Sequence, residues 1–329
     1  MSTLAIALGA FVLYLVAYHT YGKWLGQKLF KLSADAPVPS IELEDGNDYV
    51  PTKKSIVFGH HFTSIAGTGP IVGPAVAVIW GWIPALLWVL FGSVLIGAVH
   101  DFGALVVSLR SKGQTVGDIA GRVINKRTRV LFLIILFLAL TIVLAIFGLV
   151  IAAVFKMYPQ SIFPCLVQIP LAVIIGLTIH RKGASILIPS IISLALMYLS
   201  VAYGNVGFLG SFNEWLGGDP SNPDSNGLDL IQWVILLLIY SYVASVLPVW
   251  TLLQPRDYIN SLQLLSALGL VVIGLFAAAF FGGAALPDGS EGRPLEIVAP
   301  AFNLSPEGAP AIFPFLFICL LYTSPSPRD

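Results

Sequence analysis

The chain has 329 residues, of which 57% are hydrophobic and only 10% are charged, and its mean hydropathy is +0.88. Soluble domains carry about 25% charged residues, so this composition excludes an ordinary water-soluble protein and makes lipid the expected solvent for most of the surface. The formal net charge is zero, which leaves no excess of basic residues for binding nucleic acid and excludes it as a partner.

Apolar stretches recur along the chain, and a membrane-spanning helix needs about 20 mainly apolar residues. Residues 1–20 are predicted to form an N-terminal membrane helix, because no basic residue precedes the apolar stretch 3–20 and no cleavage motif follows it. A connector at 21–57, with five lysines and five carboxylates, comes next. The further predicted spans are 64–80, 84–109, 130–155, 162–180, 184–203, 230–250 and 262–283, and an incomplete one begins near Ala311.

The charges in the loops predict the orientation of these spans. If the loop 110–129 faces the cytoplasm, alternation of the spans places 14 of the 17 basic residues in cytoplasmic loops. The loop 204–229, on the other side, has four carboxylates and no basic residue. This distribution follows the positive-inside rule. The sequence therefore predicts an all-α polytopic membrane protein whose N-terminus is outside and whose connector 21–57 is cytoplasmic.

Glycine and proline interrupt the region 58–74. Within a bilayer they release backbone N–H and C=O groups that lipid cannot satisfy, so such backbone lies against protein or a wet cavity. Broken helices of this kind form the mid-membrane sites of many secondary transporters. A kinked helix that packs tightly through its glycines is the open alternative. The candidate substrate-binding residues are Gly59, His60, His61, Gly67, Gly69, Pro70, Gly73 and Pro74.

Asp101 is an acidic residue inside the predicted span 84–109, about 13 Å from the boundary at Arg110. A carboxylate at this depth is costly and usually faces a cavity or a partner. Asp101 is therefore a candidate for handling a coupling proton, and a simple tie between two helices is the alternative. His100 is predicted to point to a different face. Small residues are predicted to share the face of Asp101, namely Ser93, Gly97, Ala104 and Ser108.

Pro248 is predicted to interrupt the end of the span 230–250, and Arg256 and Asp257 follow at the cytoplasmic interface. These three residues are candidates for a gate. In the alternative interpretation, Asp257 caps the N-terminus of a helix over 259–283. When the N-terminal helix is set aside, the two broken helices are the first and the sixth. Two inverted five-helix repeats would produce this offset.

Ten short stretches give the chain a resemblance to the carbon starvation protein family: Asp48–Thr52, Phe58–Phe62, Ile65–Gly67, Gly69–Pro70, Val72–Pro74, Gly97–Val99, Asp101–Phe102, Leu247–Trp250, Pro255–Tyr258 and Phe313–Ile318. The resemblance implies a bacterial inner-membrane transporter that takes up peptides or pyruvate during nutrient starvation, driven by a cation gradient, with the proton as the expected cation. It also implies the core of the amino acid–polyamine–cation transporters, a five-plus-five inverted repeat.

Against this family, residues 58–318 correspond to a transporter core whose second repeat is incomplete. The tail 319–329 departs from the family and resembles translated sequencing adapter, so we predict that it is not native. Relatives often have Gln at the position of His100, which argues against His100 as an essential proton carrier.

Two further function classes remain as alternatives. One is an intramembrane metal-dependent enzyme that uses His60, His61, His100 and Asp101. Adjacent histidines on a regular helix point about 100° apart, so His60 and His61 cannot both bind one ion, and no His-Glu-x-x-His motif is present. The other alternative is a nutrient sensor that does not transport. We predict no catalytic residue, no metal site and no cofactor.

Overall fold

The computed structural model describes residues 2–46, 49–66, 69–182, 186–218, 227–283 and 295–313, and within them the chain consists of helices and loops without a strand. The α-helices are α1 Ser2–Ala17, α2 Pro39–Glu42, α3 Lys54–Ile65, α4 Gly69–Ala77, α5 Trp82–Leu87, α6 Ala98–Arg110, α7 Val116–Val123, α8 Lys126–Met157, α9 Ile162–Lys182, α10 Leu187–Ala202, α11 Gly207–Gly217, α12 Leu230–Val246 and α13 Leu253–Phe281.

Five helical stretches in the described residues are long and apolar enough to cross a membrane: Thr3–Leu29, Trp82–Arg110, Lys126–Met157, Pro159–Thr178 and Leu253–Phe281. The pair α10 and α11 counts as a sixth if it forms one span, although the two helices are bent by 79°. The predicted all-helical architecture with several membrane-suited helices is confirmed. The predicted count of eight complete spans is larger than the structure supports, because α12 is short and the region 64–80 is divided.

The N-terminal helix is longer than predicted. It continues past residue 20 through two π-helical segments, Tyr18–Gly22 and Leu25–Leu29. The first part of the predicted connector 21–57 is therefore helical. Leu25 is buried, whereas Lys23 and Lys28 are exposed, and long lysine side chains can keep their charge in water while the apolar residues beside them pack. The helix therefore extends nine residues beyond the predicted end of the span at residue 20.

The predicted single span over 64–80 is also wrong. Helix α3 begins ten residues before that span and ends at Ile65, and α4 covers only nine residues before the 3-10 segment Val78–Trp80. At 1.5 Å per residue, each helix is too short to cross a hydrocarbon core of about 30 Å. The interruption that glycine and proline predicted in this region is present, and it separates two short helices rather than kinking one long helix.

The helices group into two compact units. Unit 1 contains residues 1–42, 65–119 and 265–329, and unit 2 contains residues 43–64 and 120–264.

Within unit 1, the N-terminal helix packs along the stretch Trp82–Arg110. The hydroxyl of Tyr14 donates a hydrogen bond to the carbonyl of Val89 at 3.0 Å and lies 3.1 Å from the hydroxyl of Ser93. The guanidinium of Arg110 donates to the carbonyl of Phe30. This stretch is π-helical over Trp88–Gly97, so the spacing that placed Ser93 on the face of Asp101 does not apply there.

A second contact in unit 1 joins the loop 295–313 to the start of α5, next to Gly81. Gly81 has φ +108°, and the amide N–H groups of Trp82 and Ile83 donate to the carbonyls of Pro300 and Ala301. The first N–H groups of a helix have no partner within the helix, so the loop 295–313 satisfies them. A Cβ atom on Gly81 would lie 2.6 Å from the oxygen of Ala301. The glycine is therefore required both for its backbone conformation and for the close approach of this loop.

In unit 2, α9 runs through the apolar core. Its residues Ile162, Ala172 and Ile175 belong to three different clusters of buried side chains, which include residues of α3, α8, α10, α12 and α13. The buried Asn213 of α11 fixes the start of α9, because its Oδ1 accepts the N–H of Phe163 and its Nδ2 donates to the carbonyl of Gly204. Helix α9 thus holds α3 and the α12–α13 segment in place.

Candidate functional site

The chain turns sharply between α12 and α13. Helix α12 ends at Val246, and Leu247 has the extended conformation that a following proline favours. The N–H of Thr251 then donates to the carbonyl of Pro248 at 2.9 Å to close the turn. The predicted interruption at Pro248 is confirmed. Pro255 lies in the first turn of α13. The N–H groups of a first turn have no partner within the helix, so the N–H that proline lacks costs no hydrogen bond.

Because α13 begins at Leu253, Asp257 lies inside the helix and does not cap it. The alternative interpretation of Asp257 as an N-cap is therefore wrong. The side chain of Asp257 is only 6% exposed and lies between two basic groups. Its Oδ1 accepts hydrogen bonds from Nε of Arg256 at 3.0 Å and from Nη2 at 2.8 Å. Its Oδ2 is 2.7 Å from Nδ1 of His60.

The side chains of His60 and Asp257 are in close contact without forming a directed hydrogen bond. Although the distance is short, the N–H direction does not meet hydrogen-bond geometry, and the buried Nδ1 has no hydrogen-bond partner in the described part of the chain. The His60 side chain as a whole is 40% exposed. One nitrogen of the ring therefore faces the carboxylate from inside the protein, while other atoms of the side chain are accessible from outside.

Two contacts of α3 hold His60 in this position. A Cβ atom on Gly59 would lie 2.8 Å from Oγ of Ser261 and 2.9 Å from Cδ2 of Tyr258, so only glycine permits this approach to α13. The hydroxyl of Thr63 donates to the backbone carbonyl of Asp257 at 2.8 Å. These contacts lie on either side of His60 along α3, so the backbone of α3 is fixed against α13 where the histidine meets the carboxylate.

Residues from α9 and α12 complete the surroundings, and the sequence patterns alone did not identify them. Nη1 of Arg256 donates to the hydroxyl of Tyr240 at 3.0 Å. The buried amide of Gln168 donates to the backbone carbonyl of Arg256 at 3.5 Å and to the side chain of Asn260. A glutamine within the apolar stretch 162–180 was the available signal, since polar side chains in such helices commonly bond across to a neighbouring helix.

Together, His60, Asp257 and Arg256 form what we call the charged triad of unit 2. Removing one partner from a buried ion pair costs about 3–5 kcal/mol, because the remaining charge is left without compensation. Such a group can hold a proton on the imidazole, and it can offer positive charge to an anion. The triad brings together the two separate segments that the sequence marked as broken.

The other predicted substrate residues lie elsewhere. Gly69 and Pro70 begin α4 in unit 1, Gly73 is buried, and Pro74 lies inside α4, where it removes one backbone donor. Gly67 lies outside the described residues. His61 follows His60 on α3, and only His60 belongs to the triad.

Asp101 lies in unit 1, on α6. Its carboxylate Oδ1 is 3.2 Å from Nδ1 of His100, with side-chain exposures of 24% for Asp101 and 59% for His100. The ring of His100 nevertheless reaches the neighbouring carboxylate, although adjacent residues on a helix point about 100° apart. In the described ranges, no group of three or more His, Cys, Asp or Glu residues is arranged to hold a metal ion.

Comparisons with known proteins identify relatives of the whole chain. The family model described as carbon starvation protein CstA matches residues 2–321. The chain is 32% identical over 325 residues to the peptide transporter CstA of Campylobacter jejuni, and this alignment covers 97% of this chain and 43% of the relative. It is 32% identical over 323 residues to the peptide transporter CstA of Mycobacterium tuberculosis, which covers 96% and 39% respectively.

A third relative has a different printed substrate. The chain is 31% identical over 332 aligned positions to the pyruvate/proton symporter BtsT of Escherichia coli, which covers 97% of this chain and 42% of that protein. The chain thus spans less than half the length of these curated relatives. No solved structure matches the chain.

Proposed function

Because the chain belongs to the carbon starvation protein CstA family, we propose that it is the transporting part, or a portion of it, of an inner-membrane secondary transporter. Its solute is a peptide or pyruvate, taken up during carbon or nutrient starvation, and its coupling ion is the proton. The names of the relatives, peptide transporter CstA and pyruvate/proton symporter BtsT, support this proposal. Both names describe transport and neither describes an enzyme.

The topology is part of the same proposal. The N-terminus lies outside the inner membrane, the chain between the N-terminal helix and α3 is cytoplasmic, and residues 58–318 contain the first five-helix repeat and part of an inverted second one. The loop charges support this orientation if α3 with α4, and also α12, each cross the membrane once, because 14 of the 17 basic residues then fall on the cytoplasmic side. The tail 319–329 is not part of the transporter core.

The observation that carries the proposal is the triad around the buried Asp257, which lies among apolar helices. Charged side chains within membrane helices are costly, and they mark solute and ion pathways. We assign solute binding to the broken region 59–74, in which His60, on α3, is the residue that belongs to the triad. Pro248, Arg256 and Asp257 form a gate, because the turn at Pro248 leads directly into the ion pair. Asp101 is proposed to relay the coupling proton.

Uptake into proteoliposomes tests the function. We expect labelled pyruvate or a labelled dipeptide to accumulate when the outside is acidic, and we expect an uncoupler to abolish the accumulation. Uptake that is unaffected by the uncoupler would contradict proton coupling. The C. jejuni relative, reconstituted in parallel, shows whether the additional length of the relatives is needed for transport.

A pair of matched variants tests the role of Asp101. Asp101→Asn is expected to reduce proton-driven uptake, whereas Asp35→Asn, which neutralises an exposed carboxylate in a loop, should leave uptake unchanged. Normal uptake by Asp101→Asn would remove Asp101 from the mechanism.

Zinc analysis of the same purified samples addresses the enzyme alternative, since one zinc ion per chain would favour a metal-dependent reaction over transport.

A further inference from the structure

We propose that His60 binds the proton that accompanies the solute, and that its protonated ring, together with Arg256, binds the solute's carboxylate group. The inference rests on the proposed function and assigns a specific chemistry to one of its sites. The matching ligand is a singly charged carboxylate, either that of pyruvate or the one at the C-terminus of a peptide. Both solutes named for the relatives carry this group.

The first argument is the charge balance of the triad. Asp257 contributes one negative charge and Arg256 one positive charge, and they are joined by two hydrogen bonds. When His60 is neutral, the triad therefore has no net charge. When His60 is protonated, the triad carries one uncompensated positive charge among apolar helices, which is costly unless an anion joins it.

This balance links the proton to the carboxylate. The protonated triad and one carboxylate together are neutral, so each ligand reduces the cost of binding the other. Such coupling is reciprocal, because a proton that strengthens carboxylate binding must itself be bound more strongly when the carboxylate is present. A symporter needs this property, since it prevents either ligand from crossing alone.

The second argument is access to the two cationic groups. Nδ1 of His60 is enclosed beside Asp257, so the 40% exposure of its side chain belongs to the other atoms, where a ligand can approach. The side chain of Arg256 is 26% exposed. Its described bonds to Asp257 and Tyr240 engage three of the five N–H donors that a guanidinium carries. The remaining donors suit a carboxylate oxygen.

The third argument is that the described side chains of the helices packed against α3 include no carboxylate other than Asp257 that could compensate the positive charge. Helix α3 packs against α9, α10 and α13 through the buried cluster around Ile56. Helix α10 contains no charged residue, and the described side chains of α9 include no charged group. Helix α3 itself carries the titratable residues Lys54, His60 and His61. The described titratable or charged side chains of α9, α10, α12 and α13 are Cys165, Tyr198, Tyr240, Tyr242, Arg256, Asp257 and Tyr258.

Equilibrium binding to the purified chain in lipid nanodiscs tests the inference. The probes are labelled pyruvate and labelled dialanine, measured from about pH 5 to about pH 8, where histidine changes its charge. We expect the dissociation constant to rise roughly tenfold per pH unit once the ring loses its proton, which is the slope for one linked proton. Methyl pyruvate and dialanine amide lack the carboxylate and should show no such slope.

Some substitutions hold the net charge of the triad constant over this pH range, and they should change the affinity for the probes in opposite directions. His60→Gln cannot carry the charge, so it should bind both probes weakly at every pH. His60→Lys and Asp257→Asn both leave one net positive charge without an added proton, so they should bind tightly with no pH slope. His19→Gln is the matched control, because His19 is an exposed histidine outside the triad whose described contacts are the carbonyl of Leu15 and the ring of Tyr18, and it should behave as the wild type.

A pH slope that persists in His60→Gln would overturn the inference and leave the proposed transport function intact. Weak binding by both His60→Lys and Asp257→Asn would also overturn it, because a purely structural triad would be damaged by either change. If the wild-type chain binds neither pyruvate nor dialanine at any pH, the inference and the proposed function fail together.

Discussion

Substituting Gly59 by alanine tests whether α3 approaches α13 as closely as the structure shows. The added Cβ would lie 2.8 Å from Oγ of Ser261 and 2.9 Å from Cδ2 of Tyr258, whereas ordinary contacts begin at 3.4 Å. The Ser261 hydroxyl cannot turn away freely, because it donates to the carbonyl of Tyr258 at 2.7 Å. The two helices must therefore separate by about 0.5 Å, which weakens the packing along the contact.

The expected loss follows from this separation. Overpacking a buried contact by one methyl group typically costs about 1–3 kcal/mol of unfolding free energy. The pair His60–Asp257 lies next to this contact, so its distance of 2.7 Å should also increase. We therefore expect Gly59→Ala to lower both the stability of unit 2 and the affinity for a carboxylate.

Unfolding in mixed micelles with increasing SDS, followed by circular dichroism, measures the change in stability. Gly269→Ala is the matched control, since Gly269 also lies in a helix but a Cβ there meets nothing within 4 Å. It should unfold like the wild type or be more stable, by up to about 1 kcal/mol, because alanine favours a helix over glycine. Equal unfolding midpoints for the Gly59 and Gly269 variants would refute the proposed close contact.

Three further substitutions test other contacts. Gly176→Ala would place a Cβ 2.8 Å from the backbone oxygen of Trp250, so SDS unfolding should show a loss of about 2–3 kcal/mol, since a backbone atom cannot rotate away. Gly81→Ala combines φ +108° with a contact 2.6 Å from the oxygen of Ala301, and limited proteolysis should show faster cleavage of the loop 295–313. Asn213→Ala should cost about 1–3 kcal/mol for each of the two backbone partners left unsatisfied, measured by thermal unfolding. Unchanged behaviour of any of these variants would contradict the corresponding contact.

The location of the triad also bears on how a gate would work. Arg256 and Asp257 follow the turn that Pro248 introduces, and Thr63 of α3 donates to the backbone of Asp257. A movement of the α12–α13 turn would therefore change the positions of the carboxylate and of α3 together. Under the proposed function, solute binding at His60 and opening at the turn would be parts of one rearrangement.

Several features followed from the amino-acid sequence alone, because they depend on solvent preference and on local backbone chemistry. The large apolar fraction and the few charges predict membrane helices, since lipid cannot solvate charged side chains. Proline removes a backbone donor and restricts the residue before it, so the end of α12 before Pro248 could be predicted. Glycine and proline likewise predicted an interruption within 58–74, and α3 and α4 are indeed separate helices.

The tertiary structure decided how these elements combine. Whether Asp257 caps α13 or lies inside it depends on where the helix begins, and Pro255 is compatible with either arrangement because the first turn needs no N–H donor. The sequence patterns predicted a substrate site at His60 and a gate at Asp257, as separate features. They meet because Gly59 allows α3 to contact α13, and Thr63 bonds to Asp257 across 194 residues of sequence. No local pattern encodes such a distant contact, since it results from the packing of α3, α9 and α13 around one core.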